Sequence, residues 1–169
     1  MSGEGNPGCE SAYRDALTLL ARKPLTEVEV RDRLVARGHT GESVRVALAR
    51  LSDAGYVDDL RLALHFICTR SCRLGHGPRR LIEQLRARGL HADQAWRAWS
   101  QAVDQGEVDP IEMLRAEIRR RLGSDGRIVD RRQYGRVYNA LLRAGYEPDR
   151  IEVALRALPG ADEVEDEFA

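Results

Sequence analysis

Apolar residues recur along this chain at the spacing of helix faces, and the same pattern occurs three times. In each copy an apolar residue lies eight and four positions before a glycine. The copies are Val30, Leu34 and Gly38; Leu81, Leu85 and Gly89; and Val137, Leu141 and Gly145. Residues four and eight apart share one helix face, and glycine readily adopts the left-handed conformation that ends a helix. The pattern therefore predicts three amphipathic helices, each closed by its glycine.

Each copy is flanked by two further helical stretches. Apolar residues continue six, ten and thirteen positions after every glycine, and another apolar stretch precedes every copy. The sequence therefore predicts an all-α fold of three tandem three-helix repeats. The predicted boundaries are 1–10 for a disordered N-terminal tail, 11–57, 58–106 and 107–159 for the repeats, and 160–169 for an acidic C-terminal tail.

Capping signals mark several helix starts. Thr26 and Glu29 have the spacing of a capping box, and Leu25 and Val30 are placed as a hydrophobic staple. Proline suits the first position of a helix because its missing N–H has no partner there in any case. Three prolines fit such starts: Pro78, Pro110 and Pro148.

Composition agrees with helices and with a cytoplasmic protein. Aromatic residues make up only 5% of the chain, and hydrophobic residues make up 43%, enough for a packed core. We find no run of 18 apolar residues and no secretion signal, so we expect no membrane span. Three cysteines, an odd number, favour reduced thiols over a disulfide framework.

Charge is distributed unevenly although the net charge is zero. Residues 61–100 contain eight arginines and two acids, residues 111–143 contain nine arginines and four acids, and the last eight residues contain five acids and no base. A basic middle and an acidic end predict a polyanionic partner, with self-competition by the tail as one consequence. A solvated charged surface is the alternative, and 26 arginines among 27 basic residues could reflect genomic base composition.

No catalytic or cofactor constellation is present in the sequence. His65, Cys68, Cys72 and His76 resemble a metal-ligand set, but along a continuous helix its ends lie about 16 Å apart at about 1.5 Å per residue. Gly-rich phosphate loops and nucleophile motifs are also lacking. We therefore predict a protein that is not an enzyme and holds no metal or cofactor.

Exposed arginines are the candidate contacts. Leu81, Ile82 and Leu85 should form the buried arc of their helix, so that the neighbouring arginines face outward. Guanidinium groups bind phosphate oxygens or an acidic protein surface well. The candidates are Arg70, Arg73, Arg79, Arg80, Arg86, Arg115, Arg119, Arg131 and Arg132.

Two segments resemble the signature of the RecX family of bacterial recombinase regulators. They are Asp58-Asp-Leu-Arg-Leu-Ala63, and Gly75-His-Gly-Pro-Arg-Arg-Leu-Ile-Glu-Gln-Leu85 followed by Gly89-Leu90. The resemblance extends over about residues 13–158. This sequence departs from the family at His76, where an aromatic residue is frequent, and at Gln84, where an acid is common.

The resemblance implies an elongated, curved array of three-helix units. It further implies a monomer that binds in the groove of the RecA filament, contacts single- and double-stranded DNA, and inhibits or otherwise modulates strand exchange and ATP hydrolysis. Gly77, Pro78, Leu85 and Gly89 then have structural roles. The motif arginines that carry over as contacts are Arg70, Arg79 and Arg80.

A stand-alone DNA-binding protein is the alternative function, because three-helix units can resemble helix-turn-helix modules. Binding to DNA with sequence preference and without RecA would favour it. A helical scaffold for some other protein is a third possibility, which an unaffected charge-reversal variant of Arg79, Arg80 and Arg86 would support.

Overall fold

The computed structural model describes residues 7–123 and 126–160, and the described chain is helical without any strand. Its helices in chain order are α1 (Pro7–Leu20), α2 (Glu27–Ala36), α3 (Gly41–Asp53), α4 (Asp59–Leu74), α5 (Pro78–Ala87), α6 (Ala92–Asp104), α7 (Pro110–Leu122), α8 (Arg131–Ala144) and α9 (Pro148–Arg156). The predicted all-α fold is confirmed. None of these helices is both long and apolar enough to cross a bilayer.

The start of α1 corrects one prediction. We expected disorder over residues 1–10, but α1 begins at Pro7 and the side chains of Cys9 and Ala12 are buried. Proline at the start costs no helical hydrogen bond, and the two small side chains fit against the neighbouring helices. The first six residues lie outside the described residues, as do residues 161–169 of the predicted acidic tail.

The chain forms two compact units. One comprises the described residues up to His65 together with Leu85–Ala95, and the other comprises Phe66–Gln84 together with the described residues from Trp96 onward. The middle repeat is therefore shared between the units, with α5 divided after Gln84. The repeat boundaries themselves stay a prediction.

A core at the predicted positions fills the first unit. Helices α1, α2 and α3 enclose it, and its buried residues are Ala16, Leu25, Val30, Leu34, Val44, Leu48, Leu51 and Val57. Burying one leucine or valine side chain contributes roughly 1.5–3 kcal/mol. Thr26 accepts from the Glu29 N–H while Glu29 accepts from the Thr26 N–H, which forms the predicted capping box.

The second unit has an equivalent core around α7, α8 and α9. Its buried residues are Leu114, Ile118, Ile128, Val137, Leu141, Ala144, Tyr146, Ile151 and Leu155. Burial raises the pKa of the Tyr146 phenol to about 12, and its hydroxyl donates to the Met113 carbonyl at 3.3 Å. An ionised phenol is therefore not available in this core near neutral pH.

The three motif glycines adopt the left-handed conformation that the spacing predicts. Their φ angles are +88° at Gly38, +96° at Gly89 and +92° at Gly145. Gly89 and Gly145 also approach another helix closely. A Cβ at Gly89 would lie 2.5 Å from the Val28 Cβ, and one at Gly145 would lie 2.5 Å from the Arg80 backbone nitrogen.

A contact between the start of one helix and the end of another helix, at its motif glycine, thus occurs once in each unit. We call this contact the joint. In the first unit the Thr26 hydroxyl donates to the Arg88 carbonyl at 2.7 Å. In the second unit the Gly77 N–H donates to the Ala144 carbonyl at 2.7 Å. Thr26 and Gly77 occupy equivalent places, four residues before Val30 and Leu81, and their acceptors directly precede a motif glycine. The repeats of the sequence therefore carry a repeated packing arrangement.

Candidate nucleic-acid interface

Every candidate arginine has an exposed side chain, but the arginines differ in whether a carboxylate already neutralises them. An exposed arginine without a carboxylate partner is free to bind a phosphate or an acidic protein surface. The ion pairs therefore separate the candidates helix by helix. Arg86 belongs to the first unit and the other eight candidates belong to the second.

The arginines of α7 are largely neutralised within their own helix. Arg119 forms an ion pair with Glu112, while Arg120 and Arg121 both bind the carboxylate of Glu117. Glu117 is only 3% exposed, so its two arginine partners compensate a buried charge. The predicted basic surface on α7 is consequently weaker than the arginine count suggests. Arg115 forms no ion pair with any described residue.

The first turn of α5 uses its arginines for the joint. The Arg79 guanidinium binds the Glu147 carboxylate at 2.6 Å, and the Arg79 N–H donates to the Gly145 carbonyl at 3.1 Å. Arg80 donates to the Arg143 carbonyl at 3.4 Å. Sequence reasoning missed the first of these pairs because 68 residues separate its members. Both arginines keep exposed surface, but they also have a structural role.

The loop between α4 and α5 places His76 near charged groups of both signs. Burial, and then the charges of Arg80 and Arg70, hold the pKa of His76 below its usual value of 6.5. Arg70 also lies over the Phe66 ring, 4.9 Å from the ring centre. The Glu117 carboxylate acts in the opposite direction on the pKa of His76, and it lies against Gly75 in the same loop, so the loop is not a purely basic site.

The two departures from the family signature lie against each other. Gln84 Nε2 and His76 Nδ1 are 3.4 Å apart, and Gln84 Oε1 is buried without a hydrogen-bond partner among the described residues. Gln84 is thus partly buried beside His76 and is not a freely exposed contact group. The replacement of an acid by glutamine at this position consequently affects packing as well as charge.

Helix α8 carries the most open basic surface in the second unit. Its sequence contains four arginines and no acid. Arg132, Arg136, Asn139 and Arg143 follow one another at spacings of four, three and four, which places them within an arc of about 60° at 3.6 residues per turn. We call these four residues the α8 stripe. All four side chains are exposed, and the three guanidinium groups form no ion pair with any described residue.

The α8 stripe contains one residue from the candidate list, Arg132. Arg131 begins the helix beside it, and Arg136 and Arg143 extend it. The periodicity of the arginines could have identified the stripe from the sequence. The charge count over residues 111–143 hid the stripe, because it combines α8 with α7, whose arginines pair with glutamates of the same helix.

An aromatic cleft of about 320 Å³ lies elsewhere in the second unit. Trp96 and Trp99 line it together with Pro78 and Tyr146. Trp99 is 8% exposed and Trp96 is 41% exposed. Asp104, Glu147 and Arg150 also line the cleft, so its charge is mixed and not basic.

Metal-ligating side chains do not gather in groups of three or more within the described part of the chain. Helix α4 runs continuously from Asp59 to Leu74, which keeps His65 and Cys68 on successive turns of one helix. Cys72 lies on the same helix, and its side chain is outside the described set.

The sequences of known proteins match this chain over almost its whole length. The regulatory protein RecX of Halorhodospira halophila is 34% identical over 160 residues, covering 95% of this chain and 96% of that protein. The chain belongs to the RecX family. The regulatory protein RecX of Stenotrophomonas maltophilia is 33% identical over 153 residues, covering 90% of each chain. A family model described as the first three-helix domain of RecX matches residues 12–51, which correspond to most of α1–α3.

Solved structures agree on the fold of the RecX family. The crystal structure of RecX from Lactobacillus salivarius superposes with a TM-score of 0.78 at 18% identity, covering 93% of this chain and 98% of that one. A second crystal structure of a regulatory protein RecX gives a TM-score of 0.71 at 20% identity, covering 87% of this chain and 71% of that one. Since these identities are low, the structures support the helical fold and the sequence relatives support the family.

Proposed function

We propose that this RecX-family protein regulates the RecA recombinase by binding in the groove of the RecA–DNA filament. Bound there, it limits strand exchange and DNA-dependent ATP hydrolysis by occupying the groove, so it inhibits without making or breaking a bond. It works in the cytoplasm as a monomer without a cofactor. The observation that carries the proposal is the α8 stripe, on a member of a family of regulatory proteins.

The unpaired arginines suit such a filament because it presents phosphates together with protein. Three guanidinium groups spread over about 16 Å of helix can follow a nucleic-acid backbone, which carries a negative charge every 3.4 Å per strand. The remaining exposed candidates, including Arg73 and Arg115, offer further contacts to DNA or to RecA. Arg79 and Arg119 are weaker contact candidates because each has a carboxylate partner.

A titration into RecA assays tests the proposal. Increasing amounts of the protein should lower strand exchange and DNA-dependent ATP hydrolysis by RecA. Arg132→Gln/Arg136→Gln should shift the titration to higher concentration. Arg14→Gln/Arg22→Gln is the matched control, since it removes two exposed arginines from the first unit and should leave the titration in place.

Unchanged RecA activity at saturating protein would refute the proposal. Equal loss of potency in both variants would show that net charge matters and that the α8 stripe does not. Sequence-preferring DNA binding without RecA would instead favour the stand-alone DNA-binding protein, and imaging of the filaments would separate inhibition from filament remodelling.

A further inference from the structure

An acidic segment follows the last described residue of the chain. Residues 161–169 contain five acids, and they contain no basic residue. The acids are Asp162, Glu163, Glu165, Asp166 and Glu167. Such a segment carries nearly the opposite charge of α8, which has four arginines and no acid. Charge alone therefore makes α8 a favourable surface for it.

The structure fixes where this segment starts. The Ile128 N–H donates to the Pro159 carbonyl at 3.1 Å, which ties the end of the described chain to the loop before α8. Gly160 lies so close to this loop that a Cβ there would be 2.2 Å from the Ile128 carbonyl oxygen and 3.1 Å from Arg127 Nε. The acidic segment therefore leaves the fold beside the N-terminal end of α8.

The segment is long enough to reach the α8 stripe. Ile128 and Arg132 are four residues apart, which corresponds to at most about 14 Å of chain. Arg143 lies about 16 Å further along the helix axis. The last acid, Glu167, follows Gly160 by seven residues, which span at most about 25 Å when extended. The acids can therefore reach Arg132 and Arg136, and the long side chains extend this reach toward Arg143.

Neighbouring arginines in the second unit are less available to the segment. Arg119, Arg120 and Arg121 have glutamate partners on α7, and Arg79 is paired with Glu147. The guanidinium groups of Arg132, Arg136 and Arg143 have no carboxylate partner among the described residues. A carboxylate gains most where the positive charge is not yet compensated.

We propose that residues 161–169 dock on the α8 stripe and compete there with nucleic-acid phosphates. The competition rests on the DNA contact of the proposed function, whereas the docking itself does not. Because both contacts are electrostatic and exposed, the segment weakens DNA binding most at low salt. The protein then binds firmly only where phosphates are dense enough to displace the segment, as along a nucleic-acid strand.

Two measurements test the docking and the competition separately. The first records the arginine side-chain Nε–Hε NMR signals without DNA, in the full chain and in the variant Glu165→Gln/Asp166→Asn/Glu167→Gln. The signals of Arg132, Arg136 and Arg143 should shift, and those of Arg14 and Arg22 should stay in place. The second measures the affinity for a fluorescent single-stranded oligonucleotide by anisotropy over a salt series. The variant should bind several-fold more tightly at low salt, and the difference should vanish as salt increases.

Two further variants serve as controls for the affinity measurement. Asp32→Asn/Asp53→Asn/Glu107→Gln raises the net charge by the same three units at exposed acids outside the segment, so it should improve binding much less. In an Arg132→Gln/Arg136→Gln background, neutralising the segment should have little further effect.

Unshifted stripe signals would overturn the docking whatever the DNA result. Equal improvement in both acid variants would overturn the competition at this site. Shifts that grow with protein concentration would assign the contact to a second copy and overturn docking within one chain. A third outcome is that the stripe signals shift but the protein does not bind the oligonucleotide. This outcome would support the docking, overturn the competition and remove the DNA contact from the proposed function.

Discussion

Gly145 and Gly38 hold equivalent places in the repeat and have nearly the same φ, +92° and +88°, but their surroundings differ. A Cβ at Gly38 meets nothing within 4 Å, whereas one at Gly145 would lie 2.5 Å from the Arg80 nitrogen and 2.6 Å from its Cβ. Gly38 is therefore required only for the left-handed backbone conformation, whereas Gly145 is required for this conformation and for the close helix contact at the joint.

Alanine at these two positions should therefore have unequal effects. Gly38→Ala should lower the free energy of unfolding by about 1–2 kcal/mol, the cost of a left-handed alanine. Gly145→Ala adds a clash with backbone atoms that cannot rotate away, so it should cost more than Gly38→Ala, on the order of 3 kcal/mol. Urea unfolding followed by circular dichroism measures both, and equal losses would show that the close approach at Gly145 carries no energy.

A second residue, Glu29, links stability to pH. Burial raises the pKa of its carboxyl, but hydrogen bonds from Arg88 and from the Thr26 N–H outweigh burial and hold the pKa below the usual 4.5. A carboxyl with a lowered pKa in the folded state stabilises the fold above its unfolded pKa, and this contribution disappears as pH falls through the folded pKa.

Glu29→Gln should consequently destabilise the protein near pH 7 and much less near pH 3. Urea midpoints of both proteins between these values give the difference. Glu42→Gln is the comparison, since Glu42 also binds an arginine, Arg45, but on the open surface of α3. If Glu29→Gln lowers the urea midpoint as much at pH 3 as at pH 7, the carboxylate charge is not what stabilises the joint.

At the scale of elements, Thr26 connects the start of α2 to the end of α5. Its side chain is fully buried, accepts from the Glu29 N–H at 3.1 Å and donates to the Arg88 carbonyl at 2.7 Å. One hydroxyl thus satisfies a helix start and a helix end together. Removing the hydroxyl would leave both backbone groups without this partner in a partly buried site, which carries a desolvation cost.

Thr26→Val keeps the shape of the side chain and removes this hydroxyl, so it should cost roughly 1–3 kcal/mol of unfolding free energy. Thr26→Ser keeps the hydroxyl and should cost clearly less. Amide hydrogen exchange at Glu29 should also become faster in Thr26→Val, because its N–H loses its acceptor. Equal losses for serine and valine would indicate that the methyl group, and not the hydroxyl, matters at this joint.

The helices were predictable from the sequence because their signals are local. The apolar spacing before Gly38, Gly89 and Gly145 requires only a dozen residues, and proline marks the starts of α5, α7 and α9. The joints were not predictable, since Thr26 and Arg88 are 62 residues apart and no local pattern relates them. The start of α1 was missed because a Gly- and Pro-containing segment looks like a tail until burial of Cys9 shows otherwise.

Predicting the candidate site from the sequence succeeded for exposure and failed for pairing. An amphipathic pattern determines which arginines face outward, and every candidate does. Whether a carboxylate neutralises an arginine depends on side-chain rotamers and on distant partners such as Glu147 for Arg79. Glu112 and Arg119 form a pair seven residues apart, two turns of one helix, which the usual spacing rules of three and four do not anticipate.

At the scale of the whole molecule, a net charge of zero conceals regions of opposite sign. The α8 stripe and residues 161–169 are the clearest of these regions. Average charge governs solubility and weak association, whereas binding to a polyanion follows the local field. Counting charges over the full chain therefore gives no indication of the proposed partner.

The number of phosphates that the protein neutralises can be measured through salt. For single-stranded DNA, the logarithm of the binding constant falls with the logarithm of salt concentration by about 0.7 per neutralised phosphate. If Arg132, Arg136 and Arg143 each bind one phosphate, replacing all three with glutamine should reduce the slope by about 2. Binding isotherms to one oligonucleotide over a range of salt concentrations provide the slopes.

The control for this measurement changes the same charge elsewhere. Arg14→Gln/Arg22→Gln/Lys23→Gln removes three exposed cations from the first unit and should leave the slope nearly intact, although it lowers affinity slightly through the net charge. Long-range attraction changes affinity in both variants, but only a contact that releases counterions changes the slope by whole units. An α8 variant with an unaltered slope would place the phosphate contacts elsewhere, with Arg73 and Arg115 as the next unpaired candidates in the second unit.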